Sequence, residues 1–290
     1  MKNNIALLAL IVVFLSCNSK EMAKEITSDV VVEVEDETEE TAKNVIWKNW
    51  YLSVPLASVD GSGKATSIFY EAIENNNLTE EQKEYFYQNS DESYTMYTKF
   101  TGYTTSGTYA VDQKKYSRTE LREYWQGNQD IFDNWYMDSG THEMETTLKV
   151  NSCGGNGQTY VAQIHAKGSP TKQGSPATVK VQWNNGGLVI EYYVQPDTGI
   201  WTSDFGEKIT IGTVDNEKFT IKLGVAAGKL YYGLFCEAKN INITYQVLYD
   251  YSDTGYDFDN YFKTGNYFKW DGDMMEDAEV VLYGVKTLHE

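Results

Sequence analysis

Three stretches of this sequence place ionisable and amide side chains at every second position, the spacing that puts them on one face of a β-strand. In Arg118-Thr119-Glu120-Leu121-Arg122 two guanidiniums flank a carboxylate on the same face. Glu120 can orient both arginines and still leave N–H donors for an incoming carboxylate, which makes the segment a cationic ledge for acidic groups. In Tyr160 to Lys167 the alternation sets Tyr160, Ala162, Ile164 and Ala166 opposite Val161, Gln163, His165 and Lys167. An imidazole able to move a proton near neutral pH thus shares a face with an amide and an ammonium. In Tyr261 to Lys269, the residues Tyr261, Lys263, Gly265, Tyr267 and Lys269 fall on one side, and Gly265 would leave a gap through which a bulky ligand reaches the backbone.

Each stretch also has a plainer reading. The first could be a surface salt-bridge ladder, the second a structural histidine, and the third an aromatic strand of a core. The amide and lysine beside His165, and the two lysines beside Tyr267, weigh toward a site.

The elements that must carry these residues are strands. Runs such as Thr178 to Trp183, Leu188 to Val194, Lys208 to Ile211, Lys218 to Leu223, Lys229 to Glu237 and Ile241 to Leu248 are rich in β-branched and aromatic residues. Turn chemistry separates them, at Asn184-Asn185-Gly186-Gly187, Asp215-Asn216 and Gly228-Lys229, so they predict an all-β antiparallel sandwich, a jelly roll, beginning near Val45. A helical insertion of one or two short helices is expected between Ser67 and Gln88. There Ile68, Phe69, Ala72 and Ile73 recur at helical spacing, and Thr79-Glu80-Glu81-Gln82 forms a capping signature before Tyr85 and Phe86.

The 290 residues carry a formal charge of −18. That excludes a broad basic surface for nucleic acid. A polyanionic ligand is compatible with this charge only if the few cations gather in one cleft, because salt screens distant acids. Lys2, the apolar run Ile5 to Leu15, and then Ser16-Cys17 predict a signal peptide over residues 1–17, too short to span a bilayer. Its Phe14-Leu15-Ser16-Cys17 ending resembles a bacterial lipobox, which would lipid-modify Cys17. Ordinary cleavage nearby is the alternative, and export is expected in either case. Residues 18–44 are acidic and nearly free of aromatics, as in a solvated tether, leaving residues 45–290 for the folded domain. Cys153 and Cys236 fall in that domain, where they either pair as a disulfide or remain buried thiols, since spacing alone does not place them.

Taken in order, Arg-Thr-Glu-Leu-Arg, Gln-Ile-His and Tyr-Phe-Lys-Thr-Gly-Asn-Tyr resemble the three signature motifs of alginate lyases of polysaccharide lyase family 7. The resemblance runs from Trp50-Tyr51-Leu52-Ser53-Val54-Pro55 to Val281-Leu282-Tyr283-Gly284. Two departures are Lys269, where the family's third motif ends in glutamine, and the length of the helical insertion.

The resemblance implies β-elimination on an anionic polysaccharide, alginate, by a monomer that needs no cofactor or metal. Any membrane contact would come only through the lipid anchor. Arg118 or Arg122, with Gln163, would bind the uronate carboxylate; His165 would take the C5 proton and Tyr267 would protonate O4, or serve in both roles. Glu120, Lys263, Lys167 and Lys269 complete the expected substrate contacts. Within the family, isoleucine at the centre of Gln-Ile-His goes with acceptance of guluronate-containing blocks. Two rivals remain at this point. A glycoside hydrolase would need paired carboxylates at a defined separation; Asp250 to Asp259 is acid-rich, but its spacing is closer to that of a solvated loop, or at most a weak cation site. A non-catalytic glycan-binding lipoprotein would need neither a base nor an acid.

Overall fold

The computed structural model describes residues 45–108, 115–167, 177–197, 199, 201, 206–256, 258–273 and 275–290. The expected signal peptide, Cys17 and the tether lie outside the described residues. A 3-10 turn at Trp47–Asn49 leads into β1 (Trp50–Ala57) and β2 (Ala65–Phe69), followed by α1 (Tyr70–Glu74) and α2 (Glu80–Lys83). Next come β3 (Phe86–Gln88), β4 (Tyr94–Lys99), the ribbon of β5 (Tyr103–Thr104) and β6 (Gly107–Thr108), β7 (Lys115–Glu123), β8 (Trp135–Tyr136), β9 (Thr141–Cys153) and β10 (Gln158–Lys167). The chain continues with β11 (Val179–Asn184), β12 (Gly187–Tyr193), β13 (Gly206–Thr213), β14 (Phe219–Ala226), β15 (Lys229–Cys236), β16 (Ile241–Asp250), β17 (Asp259–Trp270) and β18 (Asp277–His289).

These strands form the expected antiparallel sandwich. One sheet runs β13-β12-β11-β10-β17-β7-β1-β2, with β8 added on β17, and the other runs β16-β15-β14-β9-β18-β4-β3. Alternation follows from burial: Leu52, Leu121, Ile164 and Phe262 of the first sheet and Met96, Leu148, Phe219 and Leu282 of the second are almost wholly inaccessible. The strands beneath the candidate site are also tied to the second sheet by buried hydrogen bonds. Thr264 Oγ1 meets Thr146 Oγ1 at 2.9 Å, and Asn266 Nδ2 donates to the Met96 and Ala278 carbonyls at 2.9 and 2.8 Å. Unmade, such bonds would leave buried carbonyls unpaired, so they pin β17 in depth as well as in register.

The insertion holds two short helices, α1 and α2, within the expected span. Thr79 does cap α2 by a reciprocal capping box, with Gln82 N on Thr79 Oγ1 at 3.2 Å and Thr79 N on Gln82 Oε1 at 2.9 Å. Ile68 and Phe69, however, belong to β2, where Ile68 pairs with Leu52 and Phe69 with Tyr51. Hydrogen bonding to β1 overrides their helical spacing. Phe86 begins β3 instead of prolonging a helix.

Cys153 and Cys236 are free thiols. Cys153 ends β9 and Cys236 ends β15, with β14 between them; β14 pairs Phe219 with Leu148 and Thr220 with Phe235. Two inter-strand steps and several residues along the strand separate the two cysteines by more than ~10 Å, well beyond the Cα distance that a disulfide spans.

Candidate active site

The face of the first sheet that points away from the second carries all three motifs side by side. Between β7 and β17, Arg118 lies opposite Tyr267, Glu120 opposite Gly265 and Arg122 opposite Lys263. Between β17 and β10, Lys263 lies opposite Gln163, Tyr261 opposite His165 and Asp259 opposite Lys167. Lys180 on β11 sits opposite Gln163 on the far side of β10. Most charges on this floor are positive. The clustering required of an acidic chain that takes a polyanion is therefore built into the strand register.

Glu120 is the hub. Its side chain is only 2% exposed, and it pairs with the Lys263 ammonium, accepts from Gln163 Nε2 and lies 3.2 Å from Arg118 Nη1. It orients Arg118 and Lys263, not both arginines of its own strand. Arg118 lies 4.0 Å over the Tyr267 ring, and its buried Nε has no hydrogen-bond partner among the described residues. A donor left unmatched in a cationic floor is what a bound carboxylate would satisfy.

Arg122, expected to bind substrate, is placed differently. It is buried and donates to the Glu123 carbonyl, to the Ile131 carbonyl at 2.8 Å and to Asn134 Oδ1 at 2.8 Å, with the Tyr261 ring 4.0 Å away. These contacts make it a support for Tyr261 and for the loop after β7. Arg118 is the arginine of the ledge.

His165 stacks on Tyr261 with ring centres 5.4 Å apart, and its Nδ1 is 2.9 Å from the Ala166 carbonyl. A carbonyl only accepts, so that bond places the proton on Nδ1 and leaves Nε2 as the basic nitrogen. Burial, then the ammonium of Lys263, pushes the imidazole down to about 3, with Arg118 and Arg122 adding to the fall. Tyr267 is raised above the usual phenol range, chiefly by burial, and so stays protonated at neutral pH. The floor therefore offers a neutral base and a neutral acid at once. Lys263, buried beside Arg118, is lowered to about 8 in spite of Glu120.

Lys167 and Lys269 stand at opposite ends of the floor, Lys167 4.6 Å from the Phe132 ring and Lys269 5.4 Å from the Tyr116 ring. Two expectations change in detail. The pairing of β10 with both neighbours shifts between Tyr160 and Ala162. That bulge turns Tyr160 onto the floor, 5.6 Å from the Tyr267 ring, and Val161 into the core. Gly265 does not open a gap toward a ligand: at φ +132°, a Cβ there would lie 2.5 Å from Met96 Cε and 2.8 Å from the Thr119 carbonyl. The glycine serves close packing against the second sheet.

Strict alternation gives no sign of what holds the floor from below. Where β7 ends, the buried Glu123 carboxylate accepts from the backbone N–H of Phe262 at 2.9 Å, from Trp135 Nε1 at 3.2 Å and from His289 Nε2 at 2.7 Å. His289 Nδ1 continues to His142 Nδ1 at 2.9 Å. Phe262 lies between Tyr261 and Lys263, so this network fixes the backbone of the central strand. Among the described residues of the acid-rich stretch, Asp250 pairs with Lys229 in the second sheet and Asp259 accepts from Asn134, so they form no carboxylate pair across the floor.

A floor that can clamp a carboxylate, take a proton beside it and supply another to a departing oxygen defines a lyase of acidic polysaccharides. Residues 45–289 match the sequence model of the alginate lyase family; the chain belongs to that family and is a polysaccharide lyase. Among solved structures, family 7 alginate lyase A1-II′ in complex with product (GGG) is similar, at 24% identity and a TM-score of 0.66 over 86% of this chain and 98% of that one. The alginate lyase from Klebsiella pneumoniae aligns at 18% identity and TM-score 0.65, over 86% of this chain and 98% of its own. The alginate lyase from Pseudomonas aeruginosa aligns at 17% identity and TM-score 0.64, over 84% and 99%. No curated protein matches the chain.

The pKa directions give a testable profile. Because kcat/KM reports the free enzyme, activity should hold as pH falls from 7 to about 5, where an ordinary histidine base would already be protonated. It should decline above about 8 as Lys263 loses its proton. Rates at constant ionic strength check both limbs: an acid limb near the ordinary histidine value would place His165 in a different environment, and Lys263→Arg should carry the alkaline limb upward.

Proposed function

We propose that Arg118 and Gln163 bind the carboxylate of the sugar that loses its C5 proton, that His165 Nε2 takes that proton, and that the Tyr267 phenol protonates the O4 oxygen that leaves. The difficulty of the reaction is the dianionic, enolate-like charge that forms next to the carboxylate. Arg118, Lys263 and the Gln163 amide stand where that charge grows. The observation that carries the assignment is the pairing of a neutral imidazole with a protonated phenol on a floor of cations gathered round Glu120. His165 is a weak base in the free protein because burial, and then the cations around it, depress it. A bound uronate carboxylate offsets those charges and raises its basicity when it is needed.

The substrate reading favours guluronate-containing alginate blocks. Ile164 at the centre of the second motif supports this, as does the fact that the structurally similar A1-II′ enzyme was crystallised with a GGMG substrate. Export of a monomer with Cys17 lipidated is part of the same proposal, and metabolic labelling with a fatty acid, lost in Cys17→Ser, tests that part. For the activity, purified protein is mixed separately with polyguluronate, polymannuronate and pectate while the ultraviolet absorbance of the conjugated 4,5-unsaturated uronate is followed. The fastest rise should come with guluronate-containing alginate. Equal or faster turnover of polymannuronate would overturn the block preference, and reducing ends without the absorbance would overturn β-elimination.

A further inference from the structure

β17 changes neighbours part-way along its length. It pairs with β7 from Trp270 to Lys263 and with β8 at Asn260 and Asp259, so Tyr261 and Phe262 fall between the two, with no partner strand on that side among the described residues. A buried N–H left unpaired there would be costly. The fully buried Glu123 carboxylate replaces the missing ladder bond, one of its oxygens accepting from Phe262 N at 2.9 Å and the other from His289 Nε2 at 2.7 Å. His289 and His142 are paired residues of β18 and β9 in the second sheet, Nδ1 to Nδ1 at 2.9 Å, and His142 Nε2 lies 2.8 Å from Ser139 Oγ. Trp135 closes the set: Nε1 donates to Glu123 at 3.2 Å, and the indole stacks on His142 at 4.5 Å and lies 4.9 Å from the Phe262 ring. Phe262 is thus gripped from the core by backbone and by ring, in a frame that includes both sheets.

The next residue, Tyr261, faces the floor and lies opposite His165. Their rings stack with centres 5.4 Å apart and planes 19° from parallel, and the Tyr261 hydroxyl lies 3.2 Å from His165 Nδ1. Because that nitrogen donates to the Ala166 carbonyl, the phenol oxygen serves as a second acceptor for the same proton. Two acceptors on Nδ1–H keep Nε2 as the free, basic nitrogen. The Arg122 guanidinium, 4.0 Å from the Tyr261 ring, holds the phenol in turn. Burial pushes Tyr261 up to about 12, so it stays neutral beside the imidazole. Adjacent strand residues share one backbone and point to opposite faces, so a displacement of Phe262 below the sheet carries Tyr261, and with it the imidazole, above it.

We propose that Tyr261 is the positioning residue for the His165 imidazole, and that Glu123, His289 and His142 sustain it from the core through the Phe262 backbone. The inference rests on the reading that His165 Nε2 takes the C5 proton. It makes the chain's 3 histidines parts of one arrangement, His165 in the reaction and the other two beneath it.

The test combines steady-state kinetics on alginate with the ring-nitrogen resonances of histidine-labelled protein, in wild type, Tyr261→Leu, Tyr261→Phe, Glu123→Leu and Glu123→Gln; His165→Ala assigns the His165 signal. Wild type should show His165 as a single Nδ1–H tautomer. Tyr261→Leu and Glu123→Leu should lower kcat by about ten- to hundredfold, the cost of a slightly misplaced reacting group. KM should change by less than about twofold, because Arg118 and Gln163 keep the carboxylate contacts. In both variants the His165 signal should lose its single-tautomer pattern, which a loss of stability alone would not bring about in the folded protein. Glu123→Gln, whose amide oxygen can still accept from Phe262 N, and Tyr261→Phe, which keeps the stacked ring, should recover most of the rate. If Glu123→Leu does not fold, His142→Phe replaces it: a ring stays on Trp135, the nitrogen that meets His289 is lost, and kcat and the signal should move in the same direction. Wild-type kcat in folded Tyr261→Leu would overturn the proposal, as would a His165 signal unchanged in Tyr261→Leu and in the core variant. Full activity in His165→Ala would instead overturn the base assignment, and the resonances alone then decide whether Tyr261 orients the ring.

Discussion

Tyr267→Phe is expected to lower the rate of unsaturated product formation by about a thousandfold, within the range typical of a lost general acid, with almost no change in thermal unfolding. Phenylalanine keeps the ring on which Arg118 lies at 4.0 Å and that Tyr116 and Tyr160 flank, so only the phenolic O–H is removed. His165→Ala should cost a similar factor, and the double variant little more than either alone, because two groups serving one proton-transfer step are not additive. Ultraviolet initial rates at saturating alginate, with an unfolding curve for each variant, make the comparison. Retention of a tenth or more of the activity in Tyr267→Phe would remove the phenol from the role of acid.

The second large effect is on stability. Glu120→Ala strips the counter-charge from two cations at once, leaving Lys263 buried without its partner and Arg118 and Gln163 without their acceptor. Breaking a buried pair in this way costs about 3–5 kcal/mol, much of it the penalty of the uncompensated charge. Unfolding in denaturant should show that fall, and Lys263→Met in the Glu120→Ala background should recover part of it, since the interaction energy of contacting residues appears as non-additivity. A Glu120→Ala protein as stable as its parent would show that the floor does not depend on this carboxylate.

The sequence carried these predictions unevenly. Side-chain alternation was enough to place Arg118 with Glu120 on one face of β7 and Lys263 with Tyr267 on one face of β17, and the two faces join because β7 and β17 pair without interruption over those residues. It failed for Tyr160, where an extra residue in β10 breaks the period that the reading relied on. Alternation also gives no sign that Ile131 and Asn134, residues of a loop that no periodicity describes, accept from the Arg122 guanidinium. Glu123, His142 and His289 gave no local signal, because their meeting is a property of three strands, far apart in sequence, coming together. Ile68 and Phe69 show the converse case: a helical pattern was present, and the neighbouring strand outweighed it.

The bulge in β10 bears on how this strand can change by insertion or deletion. Tyr160 and Gln163 are an odd number of positions apart, yet both face the floor, which a regular strand cannot arrange. Removing Val161 alone would leave Tyr160 and Gln163 two positions apart and both on the floor of a regular strand, whereas removing Ile164 would put Gln163 and His165 on opposite faces. The two halves of the strand are thus phased against each other by a single inserted residue. Length variation within this strand should therefore be tolerated only at the bulge, and a one-residue deletion between Gln163 and His165 should inactivate the protein even where the sandwich still assembles.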